Sequence, residues 1–346
     1  MENNLSWSFS SIWNESLEQA REDKPFKARE TIWASELGGA MIDRYLKFTG
    51  VKPSNPFDAR SLRKFEAGNI WEWIVRLVLK RAGIHLEDQG WVKFQYPNFL
   101  AVTGKFDDYA GGNPDWEKSK TEIHTLELPK IIDRAVNKII THFQEKYPNG
   151  LKKIVLETKS LSSFMFEIYL KLNTGDIRHK MQAFHYLKAK DLDEAHLVYV
   201  SKDDCRLLEI GVMNPSPIED NYKEDIKTFS QYIFLNQKPP KEKEIVFQPD
   251  LFKFSQNYKV GYSQYLTMLY GYKNQKEFET KYRPIVARWN RVLNRFINDE
   301  KITVNNLEAV KEIKKTGFDN FEELIFQGKE LKQKGLIESE VEDAEN

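Results

Sequence analysis

Ile154, Val155 and Leu156 form an unbroken apolar run that ends in Glu157, Thr158 and Lys159. A short continuous apolar run reads as a strand buried on both faces, and such strands belong to sheets covered by helices. A strand over residues 153–159 therefore carries charge to the rim of a core. Side chains alternate along a strand, so Glu157 and Lys159, two apart, project from the same face.

The neighbouring sequence supplies the rest of an α/β fold in which a mixed central sheet is flanked by helices. Leu62, Phe65, Ile70, Trp73, Ile74, Leu77 and Val78 recur at helical spacing, and Trp71, Val75 and Leu79 extend the apolar surface nearly all round. That pattern predicts a largely buried helix over 62–81. Gly83 ends it. Strands over 90–95 and 99–107 follow as a hairpin through Pro97 and Asn98, with Leu100, Val102 and Phe106 opposite Ala101, Thr103 and Asp107. Residues 110–150 read as an insertion that holds an amphipathic helix from about 129 to 146. Asp176 is placed to cap a helix reaching about residue 190. Strands are expected over 195–201 and 206–213, then a helix from about 218 to 235. Pro239 and Pro240 mark the strongest boundary. The resulting plan is an N-terminal arm (1–58), a core (59–237), and an added helical C-terminal region (238–346). An acidic tail over 338–346 is expected to be disordered.

Composition narrows the partners. Lys plus Arg and Asp plus Glu number 52 each, so no global positive field advertises nucleic acid and a strand partner needs a local basic groove. No apolar stretch approaches the roughly 18 residues of a membrane span. The N-terminus also lacks a basic region followed by an apolar one, so the expected location is cytoplasmic, with no membrane partner. Cys205 is the only cysteine, which excludes an internal disulfide framework and an iron–sulfur cluster held by this chain. Any metal must sit on oxygen or imidazole. Neither a GxxxxGK[ST] loop nor a GxGxxG turn is present, so a nucleotide-driven motor is not expected.

Convergent carboxylates are the chemistry left to consider. Asp107 ends its strand after Gly104 and meets Glu157 and Lys159 if the two strands are neighbours. Two carboxylates, with the Thr158 carbonyl as a neutral oxygen, suit magnesium, which keeps several waters of its own. Lys159 is then fit to orient a water or lower its pKa. Taken singly, a Glu-x-Lys pair reads as a solvated strand face, and Asp107 with Asp108 as turn residues. Glu72 lies in an apolar helix and needs a partner, either Arg76 at i+4 or a metal, directly or through water. Gln182 and Tyr186 share one helix face, with Arg178 and His179 close by, and can hold a phosphate or an attacking water. Alone, they read as a surface amide and a core phenol. In the C-terminal region Arg288, Arg291 and Arg295 recur at i, i+3 and i+7 beside Trp289 and Asn294. This stripe can follow a phosphate backbone, or be a solvated helix face.

In this order the pieces resemble the PD-(D/E)XK nuclease superfamily, in particular its RecB-type exonuclease branch. The matching residues are 68–72 ending in Glu72, Gly104-Lys105-Phe106-Asp107, Glu157-Thr158-Lys159, and Gln182-Ala183-Phe184-His185-Tyr186. The resemblance spans roughly residues 60–215. It implies a restriction-endonuclease-like core, with Asp107 and Glu157 as metal ligands, Lys159 as catalytic lysine, and Gln182 and Tyr186 as the branch's Gln-xxx-Tyr pair. Members often carry His at the place of Glu72. The Ser35-Glu36-Leu37-Gly38 arm and the Pro239-Pro240 exit look like flanks of iron–sulfur nucleases of this branch, which use four cysteines where this chain has one. The implied activity is hydrolysis of DNA phosphodiesters with Mg2+ or Mn2+, by an exonuclease of recombination, repair or phage-type DNA processing. The C-terminal region is open to a protein partner. The alternative is a non-catalytic DNA-binding or scaffold module that keeps the fold.

Overall fold

The apolar run before Glu157 forms the middle of the longest strand in a computed structural model that describes residues 13–17, 19, 26–115, 117–119, 121, 138 and 140–334. The chain divides into two units, one containing the described residues up to Lys52 with Phe57–Pro239, the other Pro53–Pro56 with those from Pro240 onward. In the first unit the elements are β1 (Ile32–Trp33), α1 (Met41–Phe48), α2 (Ala59–Arg81), β2 (His85–Asp88), β3 (Trp91–Phe94), β4 (Val102–Lys105) and β5 (Asp108–Gly112). They continue as β6 (Leu151–Leu161), α3 (Ser163–Leu172), α4 (Ile177–Ala189), β7 (Glu194–Ser201), β8 (Leu207–Met213) and α5 (Ile218–Phe234).

Five strands form one sheet in the order β2-β5-β6-β7-β8, with β6 and β7 parallel and the other pairs antiparallel. Three more form a second sheet, β1-β4-β3, in which β1 runs parallel to β4. The expected α/β class, a mixed sheet flanked by helices, is what the unit adopts. Residues read as an N-terminal arm supply β1 and α1 to this unit. The strand expected over 99–107 is shorter and hands over at Phe106 and Asp107 to β5, which belongs to the other sheet.

Alternation along β6 sorts the two sides of the larger sheet. Val155 packs with Met181, Phe184 and Leu187 of α4 and with Tyr222, Ile226 and Phe229 of α5. On the opposite face Ile154 and Leu156 pack with Trp71, Val75 and Leu79 of α2. This corrects the expectation of a largely buried 62–81 helix. Residues 71, 75 and 79 lie i, i+4 and i+8 on one stripe, and a helix docks by one stripe. Leu77 is buried as well, but four other apolar residues of the helix stay outside, with Phe65 50%, Ile70 57%, Trp73 42% and Val78 55% exposed.

Asp176 caps α4, its carboxylate accepting from the Arg178 amide, an arrangement that contributes about 1 kcal/mol. The insertion begins after β5, and Gly112 lies opposite Leu151 of β6 where it returns. Most of the helix expected over 129–146 lies outside the described residues; 140–146 are helical. The expected acidic tail also lies outside them.

The second unit pairs β9 (Ile245–Gln248) with β10 (Lys253–Gln256) in an antiparallel hairpin, and carries α6 (Gln275–Ile297), α7 (Val304–Lys315) and α8 (Phe321–Gln333). Its core joins Phe254, Trp289, Leu293, Ile313 and Phe321. The Phe254 and Trp289 rings meet edge to face at 5.4 Å. Asn55 belongs here, accepting from the Thr267 amide at 2.7 Å and donating to the Lys273 carbonyl at 2.9 Å. Among the described residues no helix is long and apolar enough to cross a membrane.

Candidate functional site

Asp107 sits where the chain leaves one sheet for the other, and its Oδ2 accepts a hydrogen bond from the Thr158 amide at 2.7 Å. This contact fixes a carboxylate of one strand crossing against the backbone of β6, between Glu157 and Lys159. Asp107 is 7% exposed and Glu157 2%. Glu157 Oε1 accepts from the Lys159 ammonium and, at 2.7 Å, from Gln182 Nε2. Its other oxygen, Oε2, is buried with no partner. A buried carboxylate oxygen left without a donor is costly.

The electrostatics follow from this crowding. Burial and then the Glu157 charge push the Asp107 carboxyl well above the usual carboxylate range. Glu157 is likewise raised by burial, against the pull of Lys159. Burial works against the Lys159 ammonium, but Glu157 and Asp107 outweigh it and the pKa rises. Lys159 is therefore a held cation. Glu72 adds its negative charge to all three, from the face of α2 that covers this end of β6.

Arg76 is not the partner of Glu72. Its guanidinium donates to Asp108 Oδ1 at 2.8 Å and to the Asp107 carbonyl at 3.1 Å. His85 Nε2 meets the same Asp108 oxygen at 3.2 Å. This knot of Arg76, His85 and fully buried Asp108 anchors the backbone beneath Asp107, and sequence reasoning missed it because Asp108 read as a turn residue. The i+4 spacing of Glu72 and Arg76 also offered Arg76 a local mate, which drew attention away from Asp108.

Gln182 and Tyr186 lie behind Glu157 and not in front of it. Tyr186 is 1% exposed; its hydroxyl accepts from Gln182 Nε2 at 2.8 Å and donates to the Lys105 carbonyl at 3.0 Å. Gln182 Nε2 and the Tyr186 hydroxyl thus form a chain of bonds from β4 through α4 to Glu157. Gly104 makes room for it. A Cβ there would stand 2.7 Å from Tyr186 Cε1 and 2.6 Å from the Ala34 Cβ.

Asp107 Oδ1, Glu157 Oε2 and the waters that magnesium retains form an all-oxygen donor set that fits a divalent cation. Among the described residues no three His, Cys, Asp or Glu groups converge closely enough to hold one by themselves. The Thr158 amide is taken up by Asp107, while its side-chain hydroxyl is buried without a partner.

Arg288, Arg291 and Arg295 all lie on α6 in the second unit. Arg288 pairs with Glu312, and Arg295 stands 3.8 Å from Glu300 and 3.5 Å from the Asn306 side chain. Two of the three stripe cations are thus already engaged within their own unit. Cys205 is exposed.

No known family model matches the chain, and no curated protein matches it in sequence. Among solved structures, the protein SSO0001 is similar over 69% of this chain and 92% of its own, at 14% identity and a TM-score of 0.41. The alkaline exonuclease LHK-Exo from Laribacter hongkongensis is similar over 64% of this chain and 93% of its own, at 10% identity and a TM-score of 0.34.

Proposed function

We propose that this chain is a nuclease that hydrolyses DNA phosphodiesters with Mg2+ or Mn2+, and that it acts as an exonuclease in DNA processing. The observation that carries the reading is the orphaned Oε2 of buried Glu157 beside Asp107, with the Lys159 ammonium fixed at the other oxygen of the same carboxylate. Two carboxylates held together in a core at this cost are explained by a cation between them. Bound there, a divalent ion would offset the charge that grows on the phosphoryl oxygens and favour ionisation of the attacking water.

The protein's own groups do the rest. Thr158 fixes the Asp107 carboxylate through its amide, and Gln182 and Tyr186 fix Glu157 from behind. Lys159, kept protonated, faces the charge that develops in the transition state. The attacking water gives one proton to solvent as its oxygen bonds to phosphorus, the bond from phosphorus to the 3′-oxygen breaks, and that oxygen takes a proton from solvent, leaving a 5′-phosphate. Glu72 would add negative charge beside such an ion, as it does to Asp107, Glu157 and Lys159.

The test is incubation of end-labelled single-stranded, duplex and circular DNA with Mg2+, Mn2+, Ca2+ or chelator. Cleavage in Mg2+ or Mn2+, abolished by chelator and by Glu157→Gln, is expected, with linear ends preferred over circles. Full activity in excess chelator, or in folded Glu157→Gln, would falsify the site. Binding without cleavage under every cation would make the chain a DNA-binding module instead.

A further inference from the structure

We infer that His179 is a further catalytic residue of this site, presenting a fixed Nε2–H as a hydrogen-bond donor to the phosphate group under attack. The inference rests on the nuclease reading and deepens it. His179 lies one turn before Gln182 on α4, at i and i+3, so it shares the helix face that meets Glu157. As Gln182 faces Glu157, His179 comes close enough to Lys159, two residues further along β6, for the ammonium to disfavour its protonation.

The tautomer is set by a third residue. His179 Nδ1 lies 3.1 Å from the Tyr199 hydroxyl, and that hydroxyl also accepts from the Asp176 amide at 3.1 Å. A backbone amide can only donate, so the Asp176 contact takes a lone pair of the phenol oxygen and leaves its one proton free. No other acceptor among the described residues takes that proton, which therefore goes to Nδ1. The imidazole then carries its own hydrogen on Nε2. The ring is half-buried, and Nε2 neither bonds to a described residue nor stands among the buried atoms that lack a partner, so that nitrogen keeps contact with solvent.

The imidazole is also kept uncharged. Burial, and then the Lys159 ammonium, push its pKa down to about 3. A neutral donor beside a cation suits a phosphoryl group whose charge grows during attack, since it adds a hydrogen bond without a second ammonium to desolvate. Tyr199 is 0% exposed, and its place at the end of this chain of bonds gives it a positioning role.

The experiment compares His179→Ala, His179→Gln, Tyr199→Phe and the double variant His179→Ala/Tyr199→Phe. Readouts are kcat on end-labelled DNA with Mg2+, DNA affinity in Ca2+, and 15N shifts of the histidine rings in selectively labelled protein. Loss of about 10²-fold in kcat is expected for His179→Ala, typical of a single transition-state donor, with affinity in Ca2+ nearly unchanged. The Gln amide nitrogen occupies the place of Nε2 and should restore most of the rate. Tyr199→Phe should cost less, and the double variant should be no slower than His179→Ala alone, because both changes act through one proton. The ring peaks that vanish in His179→Gln should show the Nε2–H form, unchanged from about pH 5 to 9. A folded His179→Ala with parental kcat, effects that multiply in the double variant, or an Nδ1–H or titrating ring would overturn the assignment. If the parent cleaves no DNA with any cation, the nuclease reading is what fails, while the ring shifts still report on the fixed donor.

Discussion

Tyr186 donates its hydroxyl to the carbonyl oxygen of Lys105, 81 positions earlier in the chain, at 3.0 Å. Lys105 is the last residue of β4, two before Asp107, and Tyr186 also meets Gln182, which holds Glu157. One phenol therefore couples the placement of both buried carboxylates.

Breaking that coupling should separate rate from binding. Gln182→Ala is expected to lower kcat by about 10- to 100-fold, the usual cost of losing a group that orients a metal ligand, with DNA affinity in Ca2+ preserved. Tyr186→Phe leaves the Lys105 carbonyl without its donor and should also cost about 1–3 kcal/mol of stability. Parallel nuclease assays, Ca2+ binding titrations and urea unfolding check this. A loss of affinity as large as the loss of rate would put Gln182 on the DNA and not behind Glu157.

Gly104→Ala should act on the same link by crowding. The new methyl group meets Tyr186 and the Ala34 methyl at distances that one of them must yield, and overpacking of this kind costs about 1–3 kcal/mol. The expected result is a lower urea midpoint together with reduced cleavage. An unchanged midpoint would show that Ala34 or Tyr186 of α4 can yield freely at this point.

Stability should carry a pH signature from a pair remote from the Gln182 link. His196 is worked against by burial but raised by Glu209 and Glu194, while Glu209 is lowered by its hydrogen bond to His196. The raised histidine contributes stability that is full below its unfolded pKa and fades as pH rises through the higher folded value. The lowered Glu209 contributes above its unfolded pKa and loses this as pH falls through its folded value. Unfolding midpoints should therefore peak on the acid side of neutrality, and His196→Gln should flatten the alkaline limb of that profile. Identical profiles in the two proteins would remove the pair as the cause.

The arginine stripe on α6 makes a graded forecast. Arg288 is paired with Glu312 and Arg295 stands by Glu300, whereas Arg291 is exposed. If this helix follows a DNA backbone, Arg291→Ala should weaken binding for every sequence and reduce the salt slope by about 1. Arg288→Ala should do less, since its charge is already offset. Equal affinities and slopes across parent and variants would take α6 off the DNA path.

Much of this architecture was legible in the sequence. Asp176 announced the start of α4, Pro239 and Pro240 the end of the first unit, and the apolar run before Glu157 the central strand, because each signal is local. The spacing of Glu157 and Lys159 needed only the two-residue period of a strand. What stayed hidden depended on contacts far apart in sequence. The apolar residues of α2 could not tell which stripe would meet the sheet, so Phe65, Ile70, Trp73 and Val78 read as buried. Asp108 looked like a turn because its partners, Arg76 and His85, come from two other elements. Gln182 and Tyr186 gave their spacing but not their direction, which only the position of Lys105 reveals.

Gly112 and Leu151 stand opposite each other across β5 and β6, so the long excursion between them departs from and rejoins a single rung of the ladder. Such a detour is a side branch on the chain's topology. Doubling its length would cost only about 0.6 kcal/mol in closure entropy, and Asp108 would still face Leu156 whatever lay between. A module could therefore be gained, exchanged or shed at this point without rethreading the sheet, which makes it a splice point open to a protein engineer.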